Sequence, residues 1–157
     1  MINFRQYSNV TKIVIPDKVQ LSNNNFTNMF RGMRNVQSIT IPENVTNIDT
    51  AYYGCSNLVG PPTCGDKIKD MSYAYCNCTS LTGSPACGEN VIGMRCSYEN
   101  CQKLTGSPVC GSNVQDMSAT YNNCRNLTGS PVSGPNVKDM NQTYLNCYNL
   151  TGASLWK

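Results

Sequence analysis

The sequence predicts a repeat solenoid, a chain wound into a coil with one short parallel strand in each turn of about 23 residues. Three observations carry that prediction. From Leu58 the chain falls into register every 23 residues, in lines 58–80, 81–103, 104–126 and 127–149. Thr82-Gly83-Ser84-Pro85, Thr105-Gly106-Ser107-Pro108 and Thr128-Gly129-Ser130-Pro131 then coincide letter for letter. Met71, Met94, Met117 and Met140 fill one column, Tyr75, Tyr98, Tyr121 and Tyr144 a second, and Cys78, Cys101, Cys124 and Cys147 a third.

The elements follow in chain order. Residues 1–9 precede the first copy and read as an N-terminal cap. Val10-Thr11-Lys12-Ile13-Val14-Ile15-Pro16 opens a degenerate turn, 10–35, which ends at Met33-Arg34-Asn35. The turn 36–57 is one residue shorter than the later ones and carries Ile48, Tyr52 and Cys55 in the shared columns. The four regular lines follow, giving about six turns in all, and 150–157 begins another that stops just after its strand. A period of about 20–29 residues is that of a leucine-rich-repeat-like coil.

Within a turn, Ile39 and Ile41 alternate with Ser38 and Thr40, so the isoleucines point inward and the hydroxyls outward on a short strand. The glycines at 65, 88, 111 and 134 are expected to supply the bend after that strand. Those at 60, 83, 106, 129 and 152 let the chain enter it where a side chain would crowd the next turn. The Met column lines the core just past the bend. Trp156, the only tryptophan, falls in the inward column of Cys110 and Ile41, as a lid over the open C-terminal end, an anchor for a partner there, or a frayed tail.

Composition narrows the functional classes. A net charge of +3 with 13% charged residues is too sparse for a polybasic nucleic-acid binder, and 39% hydrophobic residues is too many for a disordered chain. No apolar run approaches the ~18 residues of a membrane span. Met1-Ile2-Asn3-Phe4-Arg5-Gln6-Tyr7 has no signal-peptide core, which points to a cytoplasmic or virion-associated protein over a classically secreted one. Histidine is absent, and with it the commonest general base and metal ligand.

The pattern V/L-x-x-I-x-I-P-x-x-V followed by a Tyr and a Cys resembles the BspA-like, or Treponema-type, leucine-rich repeat. Val36-Gln37-Ser38-Ile39-Thr40-Ile41-Pro42 carries that resemblance most cleanly, and it covers residues 10–155. The later lines depart from it, with Leu-Thr-Gly-Ser-Pro in place of the apolar alternation. The resemblance implies a binding role. Such repeats are mostly adhesive modules on bacterial and protist surfaces, and similar ones occur in gut phage and prophage proteins.

Ten cysteines admit three readings: a cysteine-rich core, disulfides or zinc. Core packing is favoured by substitution, because Cys64, Cys87 and Cys110 stand where other turns have Ile15, Ile41 or Ser133, and the Cys55 column begins with Met33. Stacked turns give parallel Cβ vectors that suit a disulfide poorly. Cys76-x-Cys78 and Cys96 with Cys101 lack a histidine or a paired C-x-x-C for zinc. Cys76 and Cys96, off the main columns, are expected to be the most accessible thiols.

No residue is assigned to catalysis, cofactor or metal. Asp70, Asp116 and Asp139 share a column and superficially suggest a carboxylate pair, but there Asp caps a turn by accepting from nearby N–H groups. Asn77, Asn100, Asn123 and Asn146 are expected to form a buried ladder that satisfies backbone groups in the turns. Sequons such as Asn126-Leu127-Thr128 arise from the repeat itself. The Tyr column is read as core, with an exposed ribbon as the alternative.

The candidate binding site is the outward face of the predicted sheet: Thr63, Ser84, Ala86, Ser107, Val109, Ser130 and Val132, small and uncharged throughout. It points to a non-catalytic module that recognises a protein or glycan, with self-association through the same face or the open C-terminal end. Surface or virion-borne adhesion and a phage-type intracellular inhibitor docked on a host protein are both open, and a thiol or zinc protein is the third reading.

Overall fold

The computed structural model describes residues 4–19 and 22–152, so Trp156 and the partial turn beyond 152 lie outside the described residues. The chain is a repeat solenoid in which columns of the sequence become columns in space. Aromatic rings show the stacking most directly. Phe30, Tyr52, Tyr75, Tyr98, Tyr121 and Tyr144 follow one another with centroids 4.9 to 5.7 Å apart and interplanar angles of 3° to 16°. The tyrosine column is core: Tyr52, Tyr75, Tyr98 and Tyr121 are all buried.

Two strands form, β1 (Lys12–Val14) and β2 (Ser38–Thr40), paired in parallel with Ile13 opposite Ile39. The expected alternation holds, since Ile13 is buried while Lys12, Val14, Ser38 and Thr40 are exposed. The expected strand in every later turn is not found among the described residues. Pro62, Pro85, Pro108 and Pro131 follow Ile39 at 23-residue intervals, and a proline has no N–H to give a ladder.

A phenol takes over from the neighbouring strand. Tyr75 Oη accepts from the Thr63 N–H (3.2 Å) and donates to the Thr63 carbonyl (2.7 Å). Tyr98 holds Ala86 in the same way, Tyr121 holds Val109 and Tyr144 holds Val132. Each turn therefore satisfies, from inside its own loop, the two groups that the missing ladder would have paired.

A second wall carries most of the bonding between turns. The N–H groups of Met71, Tyr73, Tyr75 and Asn77 donate to Gly93, Arg95, Ser97 and Glu99 of the next turn at 2.8 to 3.0 Å. The intervening N–H groups of Ala74, Cys76 and Cys78 turn back onto Met71, Tyr73 and Tyr75. This pattern requires left-handed backbone twice per turn. Asn77, Asn100, Asn123 and Asn146 (φ 62° to 63°) suit it, since asparagine tolerates that region. The other column holds Thr50, Tyr73, Cys96, Ala119 and Gln142 at φ 52° to 59°, where an ordinary side chain costs about 1–2 kcal/mol. Ala119→Gly is accordingly expected to raise stability by up to about 1 kcal/mol, against the usual loss for Ala→Gly. A lower melting temperature for the variant would contradict this.

The core holds Met71, Met94 and Met117, the Cys column from Cys55 to Cys124, and Leu81, Leu104 and Leu127, all buried. The two glycine columns differ in their reasons. Gly106 has φ +80°, and a Cβ there would overlap the Ser84 hydroxyl, as the crowding argument requires. Gly111 is not left-handed. A Cβ on it would lie 2.8 Å from the Gly88 carbonyl, so close approach of successive turns, and not a bend, explains Gly88, Gly111 and Gly134.

Candidate binding face and the thiol columns

The predicted site residues share one side of the coil, although no sheet underlies most of it. Thr63, Ser84, Ser107 and Ser130 are exposed, whereas Ala86, Val109 and Val132 are half-buried, their backbones held by the phenols beneath. The tyrosines thus fix the height of this face from below. Its spacing is fixed at the edge, where the N–H groups of Thr82, Thr105, Thr128 and Thr151 donate to Gly60, Gly83, Gly106 and Gly129 at 2.8 to 3.2 Å.

Sequence reasoning missed three further exposed hydroxyls on this side. Thr82, Thr105 and Thr128 are also exposed, so each Thr-Gly-Ser presents two hydroxyls around a glycine, and successive turns place these pairs side by side. The letter-for-letter repetition of Thr-Gly-Ser-Pro was the available signal. Core columns tolerate Ile, Met or Cys, but this segment does not vary across three turns. The glycine keeps the array flat, since a Cβ at Gly129 would meet the Ser107 hydroxyl.

All ten cysteines are free. The column from Cys55 to Cys147 is more than apolar filling. Its thiols donate to the carbonyls of Phe30, Tyr52, Tyr75, Tyr98 and Tyr121 at 2.9 to 3.1 Å. Hydroxyls do the same nearby, Ser97 toward Met71, Thr120 toward Met94 and Thr143 toward Met117. The expectation for Cys76 and Cys96 is overturned: both are buried, and Cys64, Cys87, Cys110 and Cys147 are the partly accessible ones. Cys76 is covered because the next turn lays Glu99 over it, with Sγ 3.7 Å from Oε2, while Asn122 Nδ2 donates to Oε1 at 3.2 Å. Burial, then the Glu99 carboxylate, pushes the Cys76 thiol well up, so it stays protonated.

Burial likewise raises Cys55 from 9.0 to about 12, and Cys147 to about 11. The folded chain holds these protons more tightly than the unfolded one does. Their contribution to stability is therefore complete below pH 9 and withdrawn as pH rises toward 11–12. The protein is expected to lose denaturant resistance progressively above pH 9, and thiol reagents at pH 8 are expected to label most cysteines only after unfolding. Rapid native labelling of all ten would contradict the buried columns.

The acidic column caps turns as expected. Asp70, Asp116 and Asp139 accept from the N–H groups of Ser72, Ser118 and Asn141 at 2.8 to 2.9 Å. The expected asparagine ladder forms, with different partners. The side chains bond one another between turns, Asn100 to Asn77, Asn123 to Asn100 and Asn146 to Asn123 at 2.8 to 2.9 Å, and do not serve backbone groups. Among the described residues no group of three or more His, Cys, Asp or Glu is placed to hold a metal ion, and no helix is long and apolar enough to cross a membrane.

No curated protein and no solved structure matches the chain. The family described as BspA type leucine rich repeat region matches in 6 copies across residues 2–128. Stacked turns, inward Ile, Tyr and Cys columns and that span of matching repeats agree, and the chain belongs to the BspA-type leucine-rich-repeat family.

Proposed function

We propose that this protein is a non-catalytic recognition module whose partner, a protein or a glycan, lies across the Thr-Gly-Ser face. One observation carries the reading: exposed hydroxyl pairs at Thr82/Ser84, Thr105/Ser107 and Thr128/Ser130, held flat by glycines and supported from below by the phenols. Short hydroxyl side chains lose little conformational entropy on contact, and a rigid support removes the cost of ordering the backbone. Membership in a family of binding repeats supports the same reading. Adhesion on a cell or particle surface and docking on an intracellular host protein both use such a face, and the partner's class separates them.

The triple substitution Ser84→Arg, Ser107→Arg, Ser130→Arg tests this. All three residues are exposed, so melting is expected to change little while retention of the partner, from a glycan array or a host extract, falls at least tenfold. Equal retention by the variant and the parent would place the binding surface elsewhere.

A further inference from the structure

Turns 36–57 and 58–80 meet in a seam that their backbones leave partly open. Within β2 the Ser38 N–H donates to the Thr11 carbonyl (3.3 Å), and the Thr40 carbonyl accepts from the Ile15 N–H (3.0 Å). In a parallel pair that register turns the N–H and the carbonyl of Ile39 the other way, toward the following turn. Pro61 and Pro62 stand there with no N–H to offer, and Thr63 is already clasped by Tyr75. The Val59 N–H donates across the seam to Gln37 at 3.1 Å, and the next to do so is that of Lys69, to Thr46. Ile39 therefore keeps a donor and an acceptor that the following turn does not use.

A cavity of about 80 Å³ lies in this seam, with Ile39 in its wall, Leu58, Pro62 and Leu81 buried in its floor, and Ser38 and Thr63 exposed at its rim. A second cleft, of about 260 Å³, shares Ile39 and Thr63 with it, so the opening continues along the strand edge. Tyr52 lines the first cavity and differs from the tyrosines stacked after it. The phenols of Tyr75, Tyr98, Tyr121 and Tyr144 each bond a backbone N–H and a carbonyl, whereas that of Tyr52, at 2% exposure, has no hydrogen-bond partner. A buried hydroxyl without a partner costs free energy that a ligand can return.

We infer that this cavity takes the acetamido group of an N-acetylated sugar. No charged residue lines it, so an ionised group would lose its water without gaining a counter-charge. A neutral amide finds partners for its carbonyl and its N–H in Ile39 and the Tyr52 phenol, and its methyl group packs on Leu58, Pro62 and Leu81. The volume is roughly half that of a ~150 Å³ cavity that takes a benzene ring, which leaves room for three or four heavy atoms. The rim favours a sugar over an acetylated lysine, because the Ser38 and Thr63 hydroxyls surround the mouth where ring hydroxyls, and not an alkyl stem, would meet them. The inference rests on the recognition reading above and names its partner as a glycan.

Titration of the full chain with the trimer of N-acetylglucosamine, followed by amide NMR, tests this. Saturable binding is expected, with the Ile39 and Val59 amides shifting, and the glucose trimer is expected to bind at least tenfold more weakly. Tyr52→Phe is expected to weaken the N-acetylated trimer by about three- to tenfold, the order of one neutral hydrogen bond, with the melt unchanged because the phenol bonds nothing in the free protein. Equal binding of the two trimers, or of wild type and Tyr52→Phe, would overturn the inference. Equal competition by N-acetyl-lysine methylamide would overturn the assignment to a sugar. A wild type that ignores the trimer while the triple arginine variant still loses its partner would overturn the cavity's role and leave the Thr-Gly-Ser face standing.

Discussion

Met117→Asp is expected to unfold the C-terminal turns. Met117 has no exposed surface and sits between Met94 and Met140 in the column lining the core. A carboxylate there has neither water nor a cation, and burying it costs several kcal/mol, comparable to the roughly 5–15 kcal/mol that holds a whole domain together. Coupling in a solenoid is between neighbours, so the damage spreads from the fifth turn, while the N-terminal turns keep their stack. Circular dichroism should show a partial loss at ambient temperature and a lowered, broadened melt. A variant that melts with the parent would mean that the Met column does not face inward.

Tyr98→Phe is expected to cost more than the loss of one hydroxyl normally does. The phenol of Tyr98 is the partner of both the Ala86 N–H and the Ala86 carbonyl, at 3.1 and 2.6 Å. Removing it leaves two backbone groups beneath the Thr-Gly-Ser face unpaired, at about 1–3 kcal/mol each. The same change at Tyr52 is expected to be milder. Its counterpart, Thr40, lies within β2, opposite Val14, and its carbonyl already accepts from Ile15. Denaturant titrations of the two variants, with hydrogen exchange at Ala86, check the difference. Equal losses at both positions would mean that the clasp adds nothing to the ring stack.

These two substitutions also mark where sequence reasoning worked and where it stopped. The Met, Tyr, Cys and Leu columns were legible because core positions repeat with the period of the coil, and apolar burial depends on little beyond side-chain type. The aspartate caps were legible because an Asx cap is local, reaching two residues along the chain. The strand in each later turn was misjudged at Pro62, Pro85, Pro108 and Pro131. There an outward-inward alternation persists without the N–H that a ladder needs, and its replacement is a phenol 12 residues away. The same limit hid the burial of Cys76, which depends on Glu99 of the following turn and not on its own neighbours. For the proposed binding face, the exposure of Ser84, Ser107 and Ser130 was legible from their place in the repeat. Thr82, Thr105 and Thr128 were missed because they precede the expected strand, and only the packed chain shows them as part of one surface.

The wall of bonds linking each turn to the next has a mechanical consequence. The bonds joining Met71, Tyr73, Tyr75 and Asn77 to the following turn connect residues 22 apart, and those joining Met117, Ala119, Tyr121 and Asn123 repeat that span. A load applied between the two termini therefore falls on one inter-turn seam at a time, at whichever end is weaker, and peels the coil like tape. Each seam that gives way frees a loop of 23 residues, roughly 80 Å of extended chain, before the next is engaged. Stretching a single molecule would then give a regular train of small force steps at that interval in place of one large rupture, and the tether would lengthen by whole turns while the rest of the Thr-Gly-Ser face stayed intact.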